Sequence, residues 1–283
     1  IPFHMIILDM SPDLNKITVV LVLYNSQKKI IKNLEKIKNF KIVVVDNGKN
    51  DDIIENLKKF PNIEKILSKN KNLGYGRAIN YAVENINTDF FLILNPDLSI
   101  DENSVEKLYS TLINNEDCAM VAPVTVPDKD FYGIFPEKGK GVARNKNEIK
   151  SCLMLEETKL AGETCVDVAK GCVLLLKKKF FEEVNKFDEN YFLFWEEIDL
   201  CKKFRERKLS VIINTSVTAL HNEGSSSENN ILNFYIRNYH KELSPLIYFK
   251  NNRFSKFIFI RLFKYFFRAF GYLLILNFKN SLK

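Results

Sequence analysis

The sequence predicts an α/β fold, a mainly parallel sheet flanked by helices, and two observations carry that expectation. Four apolar runs rich in β-branched residues, Ile17 to Leu23, Lys41 to Val45, Ile63 to Leu67 and Phe90 to Leu94, have the length and composition of strands buried on both faces. Amphipathic stretches, Gln27 to Ile37, Asp51 to Phe60, Tyr75 to Asn85 and Glu102 to Asn115, follow them and are long enough to carry the chain back across the sheet. From Pro127 to Lys150 the pattern fades into a Gly-, Lys- and Asp-rich segment, expected as a mobile loop over the sheet edge. A strand over Cys172 to Leu176, a helix over Glu197 to Arg207 and a strand over Leu209 to Ile213 then follow.

With 283 residues the chain can bury a full core, and its formal charge of +7 is unevenly placed. From Arg253 to Lys283 there are seven Lys or Arg and no acid, so the excess sits in the tail and a nucleic-acid partner is not expected. Five cysteines without a C-x-x-C pair indicate neither a disulfide framework nor a structural zinc site. No uncharged apolar run approaches the roughly 20 residues needed to cross a bilayer, and no secretory signal opens the chain. The expectation is a cytoplasmic protein with an N-terminal extension over residues 1–15, a catalytic domain over 16–235 and a helical tail over 236–283. Ile1 to His4, ahead of Met5, read as the remnant of an expression tag.

Ligands of such sheets gather at the carboxyl ends of the strands. Polar residues cluster there: Tyr24-Asn25, Asp46-Asn47-Gly48 and Asn95-Pro96-Asp97. Asp46 is placed to accept hydrogen bonds from a nucleobase or ribose, and an Asx turn or helix cap explains it equally well. Asn72-Leu73-Gly74-Tyr75-Gly76-Arg77 opens a helix whose N–H groups can approach a phosphate, although Gly-rich turns also open helices with no ligand. Asp97 emerges from a buried strand where a hard divalent cation could meet a diphosphate; Pro-Asp also begins ordinary turns. At Glu196-Glu197 the flanking Phe192, Phe194 and Trp195 raise a carboxyl pKa by desolvation while a nearby cation lowers it, which suits a general base. The alternative is that Glu196, Glu197 and Asp199 form the acidic first turn of a helix, with Asp199 paired to Lys202 or Lys203. That reading is preferred for Asp199, and the functional one for Glu197. His221 follows an apolar strand, and most solitary histidines ligate nothing.

Taken in order, these motifs, with Lys170-Gly171-Cys172, Phe187-Asp188-Glu189 and His221 through Ser225, resemble the inverting glycosyltransferases of family 2 from Ile17 to about Ser227, especially the bacterial rhamnosyltransferase-like branch. The resemblance implies a GT-A, Rossmann-like fold. It implies nucleotide-sugar contacts from Tyr24, Asn25, Asp46, Asn72, Gly74, Arg77, Asn80, Asn95 and Trp195, with Asp46 at the base. By the same resemblance Asp97 and His221 hold Mg2+ or Mn2+ against the diphosphate, Glu197 deprotonates the acceptor hydroxyl and Glu196 supports it. The chain departs from the pattern where Asn95 replaces the first aspartate of an Asp-x-Asp motif, Glu197 replaces an aspartate, Lys208 stands where glycine is common, and Asn47-Gly48-Lys49 lacks serines.

The implied partners are a dTDP- or UDP-linked sugar, rhamnose first, and a glycan or lipid-linked acceptor of bacterial surface polysaccharide synthesis. Between Phe254 and Phe278, Arg253, Lys256, Arg261, Lys264 and Arg268 fall on one side of a helical projection opposite an apolar face. That pattern suits an amphipathic helix on the inner face of an anionic membrane; packing on the domain or in a homodimer is the alternative. Two rival functions remain. A sugar nucleotidyltransferase should carry a Gly-rich loop with Arg and Lys where this chain has Leu23-Tyr24-Asn25-Ser26, and a non-catalytic saccharide-binding or scaffold protein would not need both carboxylate sites.

Overall fold

The computed structural model describes residues 13–24, 30–48, 51–126, 132–133, 135, 162–221, 231–251, 258–267 and 270–271. Asn25, nearly all of the 127–150 segment and the residues just after His221 lie outside that set, as do 252–257, 268–269 and 272–283 of the tail.

The first half follows the expected βα order. β1 (Ile17–Leu23), α1 (Ile30–Leu34, continued by a 3-10 turn over Glu35–Ile37), β2 (Lys41–Asp46), α2 (Asp51–Leu57), β3 (Ile63–Ser68), α3 (Tyr75–Val83) and β4 (Phe90–Leu94) come in succession. β5 (Leu98–Ser99), α4 (Glu102–Asn114) and β6 (Cys118–Val126) follow. Asp101 starts α4 by accepting the Ser104 N–H at 2.7 Å, leaving Glu102 at the positive helix end. The second half comprises β7 (Tyr132–Gly133), β8 (Glu163–Cys165), β9 (Val168–Ala169), β10 (Val173–Lys177), α5 (Lys178–Glu183), α6 (Glu196–Glu206), β11 (Ser210–His221) and α7 (Ile231–Asn251).

Among the described residues nine strands form one sheet in the order β3-β2-β1-β4-β10-β6-β11-β5, with β8 also paired to β11. β3, β2, β1 and β4 are parallel, as expected, but the whole sheet is mixed, because β10 runs antiparallel to both β4 and β6. The register aligns the site. Leu23 lies opposite Asp46 and Asp46 opposite Ser68, while Leu94 faces Val173 and the Asn95 N–H donates to the Cys172 carbonyl at 2.9 Å. The start of an antiparallel strand therefore joins the carboxyl ends of the parallel ones.

All seven residues of β1 are buried, and they alternate between two cores. Val20 and Val22 face one side with Ile79, Phe91, Phe187 and Phe204; Val19, Leu21 and Leu23 face the other with Leu34, Phe40 and Leu108. Two-sided burial at about 1.5–3 kcal/mol per large side chain explains why β1 lacks a polar face; β3, expected to be buried as well, lies at the sheet edge with Glu64 and Ser68 exposed.

α7 runs unbroken through residues 235 and 236, where the sequence placed a domain boundary. It packs on the body through buried Tyr248 and Phe249, whose rings lie 5.4 and 5.8 Å from that of Trp195. The Ser244 hydroxyl donates to the Leu193 carbonyl at 2.7 Å, and the His240 ring stacks on Phe192 at 4.6 Å. Residues 258–267 are helical, and there Arg261, expected on the basic side opposite the apolar face, pairs with Glu242 at 3.3 Å.

Candidate nucleotide-sugar site

A cleft of about 220 Å3 opens at the carboxyl edge of the sheet. Its sheet wall carries Tyr24 after β1, Asn47 after β2, Asn72 and Tyr75 around the start of α3, and Asn95 after β4. The facing wall is the 192–194 segment together with Asn233, Ile236 and Arg237 of α7. The Tyr24 hydroxyl donates across the cleft to Asn233 Oδ1 at 3.2 Å.

Asn47 builds the floor. Its amide nitrogen donates to Asn72 Oδ1 at 2.8 Å and to the Gly74 carbonyl at 3.0 Å, while its Oδ1 accepts the Leu73 N–H at 2.7 Å. Gly74 adopts φ +83°, and a β-carbon there would sit 2.3 Å from the Phe192 carbonyl oxygen. Only glycine fits, because the next residue, Tyr75, ties its N–H to that same oxygen at 2.9 Å. The Tyr75 hydroxyl lies 2.6 Å from Asn95 Oδ1 and 2.8 Å from the Gly171 carbonyl, its one proton directed between them. Burial, then the charges of Cys172, Glu196, Glu197 and Asp97, push the phenol well above its ordinary pKa, so it stays a donor. Those carboxylates therefore share one electrostatic neighbourhood with Tyr75.

The turn into α6 is unusual. Phe194 and Trp195 are consecutive non-glycine residues at φ 68° and 72°. Left-handed backbone of this kind costs on the order of 1–3 kcal/mol per residue and persists only where packing over-determines it. Trp195 against Tyr248 and Phe249, with the Ser244 bond to Leu193, supplies that packing. The turn delivers Glu196 and Glu197 together. Glu196 is 4% exposed, and its Oε2 has no hydrogen-bond partner among the described residues. Burial and the charge of Glu197 raise its pKa well above the usual value, which favours its protonated form. Burial also raises the pKa of Glu197, but its own N–H, that of Trp195 and the charge of Lys170 pull it back. Hydrogen bonds and a nearby cation thus favour the charged form at Glu197 more than at Glu196. Asp199 instead pairs with Lys203 at 3.2 Å, as the sequence suggested.

The pairing of β5 with β11 sets His221 opposite Leu98, one residue from the buried Asp97. As donor types, a carboxylate and an imidazole fit Mg2+ or Mn2+, which take oxygen ligands from phosphate or water in the remaining positions. Among the described residues no three His, Cys, Asp or Glu side chains group as a protein-only metal site.

Other expected residues point elsewhere. The Arg77 Nε donates to the Glu189 carbonyl at 2.8 Å, and Asn80 exchanges hydrogen bonds with the Phe187 backbone at 3.0 and 3.1 Å. Both hold the loop that leads to the acidic turn. Asp46 accepts the Gly48 N–H at 3.3 Å in an Asx turn, one of the two alternatives the sequence offered, and does not line the cleft. Trp195 supports the turn and does not line the cleft. Asn47 and the α7 residues were missed as site residues. The spacing of Asn233, Ile236 and Arg237, one helical face, was the available signal.

The sequence model of Glycosyl transferase family 2 matches residues 18–181. The chain is similar to the low-salt glycan biosynthesis hexosyltransferase Agl10 of Haloferax volcanii, 24% identical over 217 residues that make up 74% of this chain and 68% of that protein. It is also similar to the N-acetylglucosaminyl-diphospho-decaprenol L-rhamnosyltransferase of Mycobacterium tuberculosis, 23% identical over 66% of this chain and 67% of that one. Among solved structures, GalNAc-T7 with UDP, GalNAc and Mn2+ superposes with a TM-score of 0.58 at 13% identity, over 74% of this chain and 44% of that one. That likeness concerns the fold, which is GT-A.

Proposed function

The chain belongs to glycosyl transferase family 2, and from that premise we propose that it is an inverting transferase moving a sugar from a nucleoside diphosphate to a hydroxyl of a glycan or lipid-linked saccharide. The observation that carries the reading is the Glu196–Glu197 pair, Glu196 buried and Glu197 half-buried, held next to Gly171 and the cleft residue Tyr75. Glu197 removes the acceptor proton while the acceptor oxygen attacks the anomeric carbon, and the bond to the diphosphate breaks with its electron pair leaving on phosphate. A positioned base of this kind contributes on the order of 100- to 10,000-fold. Glu196, kept neutral, spares Glu197 a second negative charge and fixes the turn that presents it.

Asp97 and His221 would hold Mg2+ or Mn2+, which when bound supplies charge neutralisation to the departing diphosphate. The relative named for L-rhamnose transfer to a decaprenol-linked sugar supports dTDP-rhamnose as the first donor to test, with UDP-hexoses next. Nucleoside diphosphate release from a panel of nucleotide sugars, with and without chelator, tests donor and metal together. Full activity in chelator would remove Asp97 and His221 as ligands, and no release from any donor with a range of acceptors would count against transfer itself.

Among the described residues no helix is long and apolar enough to cross a membrane. Exposed Phe259, Phe263, Phe266 and Phe267 on the 258–267 helix and Phe234, Tyr235 and Tyr239 on α7 support peripheral contact with an anionic membrane on the inner side of the cell. Vesicles containing anionic lipid should sediment the full chain and not one lacking Phe254 to Lys283. Equal binding by both, or assembly into dimers through this surface, would set the membrane role aside.

A further inference from the structure

Among the described residues lining the cleft, Arg237 is the one that carries a charge; the other polar groups are the amides of Asn47, Asn72, Asn95 and Asn233 and the phenols of Tyr24 and Tyr75. Neutral amides and aromatic rings suit a base and a ribose. They leave the two or more negative charges of a nucleoside diphosphate unanswered. Arg237 is exposed, and it makes no ion pair or hydrogen bond with another described residue. Its place is nevertheless set, because Asn233, one turn earlier on α7, accepts the Tyr24 hydroxyl, and Ser244, two turns later, is tied to Leu193.

We propose that Arg237 is the phosphate anchor of the donor site. Its guanidinium pairs with the diphosphate of the nucleotide sugar and stabilises the charge that gathers on the leaving phosphate oxygen as the bond to the anomeric carbon breaks. A planar guanidinium meets two phosphate oxygens at once, which a lysine ammonium cannot do. The position also fits the chemistry at the end of β4. With a neutral Asn95 two residues before Asp97, that strand end offers a divalent cation one carboxylate, and an arginine on the anchored helix supplies positive charge from the opposite wall. α7 is then a part of the donor site and not an appendage to it.

The proposal rests on the transferase reading, and the test separates the two. Equilibrium binding of dTDP, dTMP and thymidine, and of UDP, UMP and uridine, is measured for the full-length wild type, Arg237→Ala and Arg237→Lys, each with and without EDTA. Thermal unfolding checks that the exposed substitutions leave the fold intact. Arg237→Ala should weaken the diphosphate about 10- to 100-fold, the scale of charge-assisted hydrogen bonds, and the nucleoside less than twofold, with Arg237→Lys between. The phosphate-dependent loss should persist in EDTA. Wild type that binds a nucleoside diphosphate with Arg237→Ala unimpaired, or impaired equally for the nucleoside, overturns the anchor and leaves the transferase reading standing. Wild type that binds no nucleotide overturns both.

Discussion

Gly171 packs directly on the side chain of Glu197: a β-carbon at residue 171 would come within 3.2, 3.3 and 3.4 Å of its Cβ, Cγ and Cδ. The Lys170–Cys172 turn, carried to the cleft by antiparallel β10, is thus the wall against which the proposed base rests. Gly171→Ala should displace the carboxylate by a few tenths of an ångström. The expected result is a 3- to 10-fold fall in kcat, on the order that small misplacements of a catalytic group cost, with KM for the donor little changed. Steady-state kinetics read this directly, and an unchanged kcat would dissociate Gly171 from the base.

Gly74→Ala is a different lesion. The φ of +83° and the 2.3 Å approach to the Phe192 carbonyl leave no relaxed position for a methyl group. Denaturant unfolding should report a loss of about 2–4 kcal/mol, from backbone strain and the broken Tyr75–Phe192 bond together.

The buried acid of Glu196 makes stability depend on pH. Its pKa in the folded protein lies well above its ordinary 4.5, so the folded state binds the proton more tightly than the unfolded one. The stabilisation is fully present below pH 4.5 and is lost as pH rises through the folded pKa. Glu196→Gln keeps a neutral group there and should flatten this dependence. The stability of the variant relative to wild type should therefore rise as unfolding is measured from pH 4.5 to pH 8. A constant difference across that range would mean that Glu196 ionises normally.

Asn80 separates a ligand role from a structural one. Its amide satisfies both the carbonyl and the N–H of Phe187 inside the protein, so Asn80→Ala leaves two buried backbone groups unpaired. The expected cost is about 2–4 kcal/mol in unfolding, with nucleoside diphosphate affinity within about twofold of wild type. A large loss of affinity without loss of stability would restore Asn80 to the nucleotide site.

How much of this was legible depended on whether a residue's partner is close in sequence. The seven residues of β1 announced themselves because burial on two faces leaves no charged position and only Thr18 among them polar. The direction of β10 did not, since the run Cys172 to Leu176 is apolar throughout and reads the same either way. β11 continues to His221 past the expected end at Ile213, because Asn214 to Thr218 forms a register shift whose polar residues interrupt the strand pattern. Asp97 and His221 were paired by resemblance alone; the two-residue strand β5 that brings them to adjacent positions is too short to read from sequence. Arg237 escaped because its helix crosses the boundary assigned to the tail, and because a lone arginine has meaning only once Tyr24 and Asn233 place it over the cleft.

The central claim is that Glu197 is the base, and turnover of Glu197→Gln tests it most directly. The side chain is nearly isosteric and keeps the helix start, so donor nucleotide affinity and unfolding should stay close to wild type. Turnover on the best donor–acceptor pair should fall about 100- to 10,000-fold. Near-wild-type turnover by the folded variant would contradict the account.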